Sequence, residues 1–94
     1  MTTEMMKKYT EALFEEEEAF WLYKHIAKQE TGSNRVKIMD IMEDELKHYE
    51  TVHDIIFEMK DTSPIAEAFK DMVVENLMKM KACMEKLKTK TAEK

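Results

Sequence analysis

The 94-residue chain contains one glycine, Gly32, and one proline, Pro64, so it has two places where a regular backbone is readily broken. Sheets need many turns, and turns draw on residue types that are nearly missing here. With 44% hydrophobic and 37% charged side chains, the composition suits long amphipathic helices. The expected fold class is all-α: an antiparallel two-helix hairpin plus a third helix, one domain over residues 1–88, then a polar, frayed tail at 89–94. A domain of this size buries a modest core, so pairing with a second copy is expected.

The first helical pattern runs from about Thr3 to Gln29 along a stripe of Tyr9, Leu13, Glu16, Phe20, Tyr23 and Ala27, with Ala12, Ala19 and Ile26 beside it. Glu30 to Asn34 forms the first break. Gly32 can close the first helix in the left-handed conformation, and Ser33 or Asn34 can cap the second. The connection is short, which makes the two helices antiparallel neighbours. The second pattern runs from about Asn34 to Lys60 through Ile38, Ile41, Glu45, His48, Val52, Ile55 and Met59, in steps of three and four. Asp61-Thr62-Ser63-Pro64 is the second break, with Ser63 as N-cap and Pro64 at the first helical position. A third pattern then follows Ala66, Phe69, Val73, Leu77, Met80, Met84 and Leu87 to about Lys88. Its stripe holds no acidic residue or histidine and reads as packing, either over the hairpin or between copies.

In the first two stripes a carboxylate or an imidazole stands where the period asks for an apolar side chain. Burying such groups costs on the order of several kcal/mol unless they are paired or bound to a metal. Within Glu15-Glu16-Glu17-Glu18, at roughly 100° per residue, Glu16 alone points inward, and the other three read as a solvated acidic block. Glu16 lies about 15 residues before the bend and Glu45 about 14 after it, so the two sit at similar height. His48, three residues beyond Glu45, points the same way one turn along. One Glu from one helix and Glu-x-x-His from its neighbour make half of the ligand set of a two-metal carboxylate bundle. A two-fold homodimer completes the set, with four carboxylates and two imidazoles. Such ligands suit Fe(II), and Mn(II) or Zn(II) as well.

The balance of charges and apolar residues narrows the partners. Fifteen Lys and Arg against twenty Asp and Glu give a net charge of -5, and no arginine cluster with interleaved aromatics occurs, so no nucleic acid is expected. Cys83 is the lone cysteine, unable to form an intrachain disulfide or a cysteine metal cluster, which fits a reducing cytosol. The N-terminus lacks the apolar core of a signal peptide, and no apolar run approaches ~18 residues, so a soluble cytoplasmic protein with no membrane contact is expected. Among the ten methionines, Met80 and Met84 fall on the third stripe as core, while Met78 and Cys83 lie off its centre. His25 and His53 fall away from the cluster and read as surface residues. Lys81, Lys86, Lys88 and Lys90 suit the negative end of the last helix.

The stretch Glu16-Glu17-Glu18-Ala19-Phe20-Trp21-Leu22-Tyr23 is similar to the Glu-x-x-Ala-x-x-x-Tyr pattern of the ferritin-like superfamily, and Asp44-Glu45-Leu46-Lys47-His48 continues the likeness. Over residues 9 to 60 the chain resembles the short encapsulated type of ferritin and the erythrin domain of rubrerythrins. This resemblance implies a ferritin-like four-helix bundle formed by two chains, with Glu16, Glu45 and His48 as iron ligands and about two irons per dimer. It implies Tyr23 beside the site as part of the catalytic set, and Glu15 and Glu18 as acidic residues that guide incoming metal. The implied activity is that of a ferroxidase, an oxidoreductase acting on Fe(II) with O₂ or peroxide. Encapsulated ferritins work as rings of dimers inside a protein shell. Here the tail from Lys88 to Lys94 lacks the apolar targeting segment by which such cargo binds its shell, and a single cysteine cannot make the four-cysteine centre of rubrerythrin. Two alternatives stand beside the ferroxidase: a non-enzymatic helical dimer whose polar residues satisfy each other, and a metal-bound structural dimer without turnover.

Overall fold

The computed structural model describes residues 3–60 and 63–92, which form three α-helices and no strand: α1, Thr3–Gln29; α2, Gly32–Glu58; α3, Pro64–Ala92. Asp61 and Thr62 of the second break, and Glu93 and Lys94 of the tail, lie outside the described residues. The first break is tighter than expected. Thr31, rather than Ser33 or Asn34, occupies the N-cap of α2, with extended backbone and no capping hydrogen bond from its side chain. Gly32 has φ of 61°, the left-handed backbone anticipated for it and one where an L side chain would be strained, but it opens α2 as its first residue instead of closing α1, which ends at Gln29.

Helix α3 begins as its sequence demands. The Ala66 N–H donates to Ser63 Oγ at 3.2 Å, and Pro64 follows the cap at the position where no N–H is needed. Ser63→Ala is therefore expected to cost about 1 kcal/mol, read as a lower urea midpoint at unchanged slope. The helix continues to Ala92, past Thr89, where a frayed tail was expected. Within it the Thr89 hydroxyl donates to the Glu85 carbonyl one turn back, at 2.9 Å.

Leu13, Phe20 and Ala27 of α1 are buried, as their stripe requires. On α2 the buried residues are Arg35, Met39, Met42, Tyr49 and Ile56. This stripe lies about 100° round the helix from the one expected. Ile41 and Ile55, assigned to the core from their spacing, keep 36% and 42% of their surface exposed. The cause is the position of α2 between two neighbours: it packs on α1 and on α3, so apolar residues occupy more than half of its circumference. Period alone cannot say which part of so broad an arc faces inward.

Helix α3 covers the hairpin, with Ala66, Val73, Leu77, Met80, Met84 and Leu87 buried along the expected stripe, joined by Cys83. Salt bridges and a hydrogen bond fix its register on α2. Lys81 reaches Glu50 at 2.9 Å, Lys88 pairs with Glu43, and Lys70 Nζ donates to the Met59 carbonyl at 3.0 Å. Hydrogen bonding from Lys88 holds the Glu43 carboxyl below the usual carboxylate range.

Among the described residues one charged side chain enters the core. Arg35 is 7% exposed, and its Nη1 donates to the Ala27 carbonyl at 2.6 Å while Nη2 approaches the Leu87 carbonyl at 3.5 Å. The Ala27 carbonyl belongs to the closing turn of α1, where carbonyls carry partial negative charge, whereas Leu87 lies inside α3, before its last turn.

Candidate metal centre

Antiparallel folding at residues 30 and 31 brings the middles of α1 and α2 to one height, and there Glu16, Glu45 and His48 converge. One ligand atom from each lies within 4.8 Å of the other two. Two ligands on one ion at 2.0–2.2 Å stand at most about 4.4 Å apart, so a small side-chain rotation brings the three onto a shared metal. His48 Nδ1 lies 3.5 Å from Glu16 Oε2. That oxygen is shielded from solvent yet receives no hydrogen bond, a deficit that a metal ion or a proton would remove.

The Glu16 carboxylate opposes the ionisation of Glu45. Glu45 is pushed up to about 7, first by hydrogen bonding with Glu16, then by burial and by the negative charge of Glu16. His48 acts in the opposite sense, and Asp44 adds to the rise. Bringing such a pair together without a cation costs free energy, which an added positive charge repays. An acceptor-rich set of two carboxylates and an imidazole fits Fe(II), Mn(II) or Zn(II).

The burial expected of these residues is only partly present in the single chain. Glu16 and Glu45 are half-buried and His48 is exposed. All three lie at the edge of the hairpin, on the side that α3 does not cover. The same side presents exposed Ala12 and Ile26 and half-buried Ala19 of α1, with exposed Ile41 and Ile55 of α2. Ile41, His48 and Ile55 follow one another at seven-residue steps, which holds them in a single row along the helix.

Other candidates fall elsewhere. Tyr23 is half-buried against the core, about 10 Å along α1 from Glu16, and forms no hydrogen bond with the cluster. Glu15 and Glu18 are exposed and stand apart from it, as does exposed His25. His53 is less exposed than its position implied, because its ring stacks on Phe57 at 4.4 Å between centroids and pairs with Asp54.

Two participants in the neighbouring polar network were not legible as such. Glu17, read as solvated, accepts a hydrogen bond at 2.8 Å from the hydroxyl of fully buried Tyr49. Burial, followed by the nearby Glu17 carboxylate, holds that phenol well above its ordinary range. The available signal was Met39, Met42, Leu46, Tyr49 and Ile56, an equally regular stripe on which a tyrosine needs an acceptor. Comparison of the chain with protein-family models, with curated proteins and with solved structures finds no match.

Proposed function

We propose that Glu16, Glu45 and His48 form half of a two-iron site, completed by a second copy of the chain in a ferritin-like four-helix arrangement, and that the dimer oxidises Fe(II). The observation that carries this reading is the solvent-shielded Glu16 Oε2, which receives no hydrogen bond, among three convergent ligand atoms. The uncovered apolar side of the hairpin supports the second part. A two-fold partner seated there contributes the same three residues from the opposite side and removes His48 from water.

In this reading iron is the substrate, and the residues bind and orient it. The carboxylates neutralise the incoming cations, the imidazole supplies a neutral nitrogen ligand, and the apolar rows beside them exclude bulk water. Two Fe(II) ions give up one electron each, and O₂ takes both with two protons to leave as hydrogen peroxide, so the balance closes at two Fe(III). Iron, rather than Mn(II) or Zn(II), is chosen for the open two-metal geometry and the resemblance of the sequence.

One observation favours a second reading. Glu45, with its raised affinity for a proton, can hydrogen-bond Glu16 without any metal, and the cluster then acts as a polar lock in a packing dimer. Anaerobic addition of Fe(II) to metal-free protein, followed by air, separates the two. The expected result is rapid ferric absorbance and oxygen uptake at about two irons per dimer. Glu16→Ala and His48→Ala should each slow it by on the order of 100-fold, since even residues behind the ligands often cost 10–100-fold. A chain that dimerises but takes up no iron establishes the polar lock. Binding of Mn(II) or Zn(II) without oxygen uptake establishes a structural metal instead.

A further inference from the structure

The lysines of α3 divide into two groups that their sequence did not distinguish. Lys81 and Lys88 turn to α2 and pair with Glu50 and Glu43, whereas Lys86 and Lys90 turn to α1 and meet Lys24 and Lys28 across a groove. No carboxylate of the described residues pairs with Lys24, Lys28, Lys86 or Lys90. Lys79, at the end of the same groove, is engaged by Glu75 at 3.3 Å.

The groove encloses about 400 Å³, a size that suits a small organic ligand. Its floor is apolar: Trp21, Cys83 and Leu87, the last two buried. Lys24 Nζ stands 5.2 Å from the centre of the Trp21 ring, and Phe20 meets that ring edge-on at 4.9 Å, which fixes the indole in place. Burial raises the Cys83 thiol, while the ammonium groups of Lys24, Lys28 and Lys86 act against that rise, which places all three charges around the floor.

Four ammonium groups with no carboxylate partner among the described residues line an apolar floor, in a chain whose net charge is -5. We infer that the groove between α1 and α3 binds an amphiphilic organic anion, with its apolar body on Trp21, Cys83 and Leu87 and its carboxylate, sulfonate or phosphate head among the four lysines. The site is separate from the carboxylate cluster, since Trp21 and Lys28 stand about 120–140° round α1 from Glu16.

Trp21 is the chain's only tryptophan, so its emission reports on this groove directly. The test is a fluorescence titration of the full chain with anilinonaphthalene sulfonate, beside phenylnaphthylamine, which has the same rings and no charge. The expected result is one sulfonate per chain with quenching of Trp21, and binding of the uncharged compound at least about tenfold weaker. Dodecanoate and naphthyl phosphate displace the dye, and inorganic phosphate at equal concentration does not. Lys24→Gln with Lys86→Gln weakens sulfonate binding by about tenfold, leaves the uncharged compound unaffected and leaves Fe(II) oxidation unchanged. Equal binding of the two dyes overturns the proposal. Unchanged sulfonate binding in the lysine variant does so too, placing the dye on the exposed apolar side. Displacement by polyglutamate but by neither small amphiphile overturns it in favour of an acidic peptide.

Discussion

If the proposed dimer forms on this side of the hairpin, replacing Ile41 and Ile55 together by lysine is expected to leave the chain folded, make it monomeric and abolish the proposed oxidation of Fe(II), although neither residue can touch a metal. Both side chains are more than a third exposed in the single chain, at 36% and 42%, so little core packing is lost. Exposed substitutions of this kind usually change stability by no more than about 0.5 kcal/mol, and lysine is at least as good a helix former as isoleucine. Against a partner the effect reverses. Each lysine would bring a charge into an apolar contact, and two-fold symmetry would place four such charges in one interface.

The variant therefore separates a site shared between chains from one held by a single chain. Sedimentation gives the mass, far-ultraviolet circular dichroism gives the helix content, and ferric absorbance gives the rate. A helical monomer that still oxidises iron at the wild-type rate would sink the shared site. A variant that remains dimeric would move the interface away from this side of the hairpin.

How much of this was legible beforehand depended on how many neighbours each helix has. α1 was readable to its ends, because one apolar stripe of moderate width and the break that holds Gly32 just beyond it left little choice. Ser63 and Pro64 fixed the start of α3 by local chemistry alone. The arrangement of Glu16, Glu45 and His48 was also readable, since matching heights follow from counting residues away from a tight turn. α2 was misread by one position because its apolar arc serves two partners, and Ile41 and Ile55 fit a periodic pattern as well as Met42 and Ile56 do. That misreading is informative, because the residues expected inside and found outside are those beside His48. Hydrogen bonds from Tyr49 to Glu17 and from Arg35 to Ala27 depend on side-chain reach between helices, which spacing along one helix does not encode.

Arg35→Met should lower the stability of the metal-free protein by about 2 kcal/mol, and Arg35→Ala by about 3 kcal/mol. Methionine keeps most of the apolar stem and removes the guanidinium, leaving the Ala27 carbonyl without the donor now 2.6 Å away. That carbonyl lies in the last turn of α1, where no later helical N–H reaches it, and an orphaned buried acceptor costs about 1–3 kcal/mol. The lost charge adds to this cost, because Arg35 sits at the closing turn of α1 and offsets its negative end. Alanine removes the stem as well and opens a cavity. For a domain of this size, 2 kcal/mol corresponds to a fall in Tm of about 8–16 °C, measured at one fixed protein concentration so that dimerisation does not contribute. Lysine at this position can supply a charge but not two separated donors, so Arg35→Lys should fall between wild type and methionine. A methionine variant as stable as the wild type would mean that desolvating the guanidinium consumes all that its contacts return, as happens for some buried ion pairs. The loop between α1 and α2 would then hold by Gly32 and apolar packing alone, and the Ala27 carbonyl in the closing turn of α1 would have to find its partner in water.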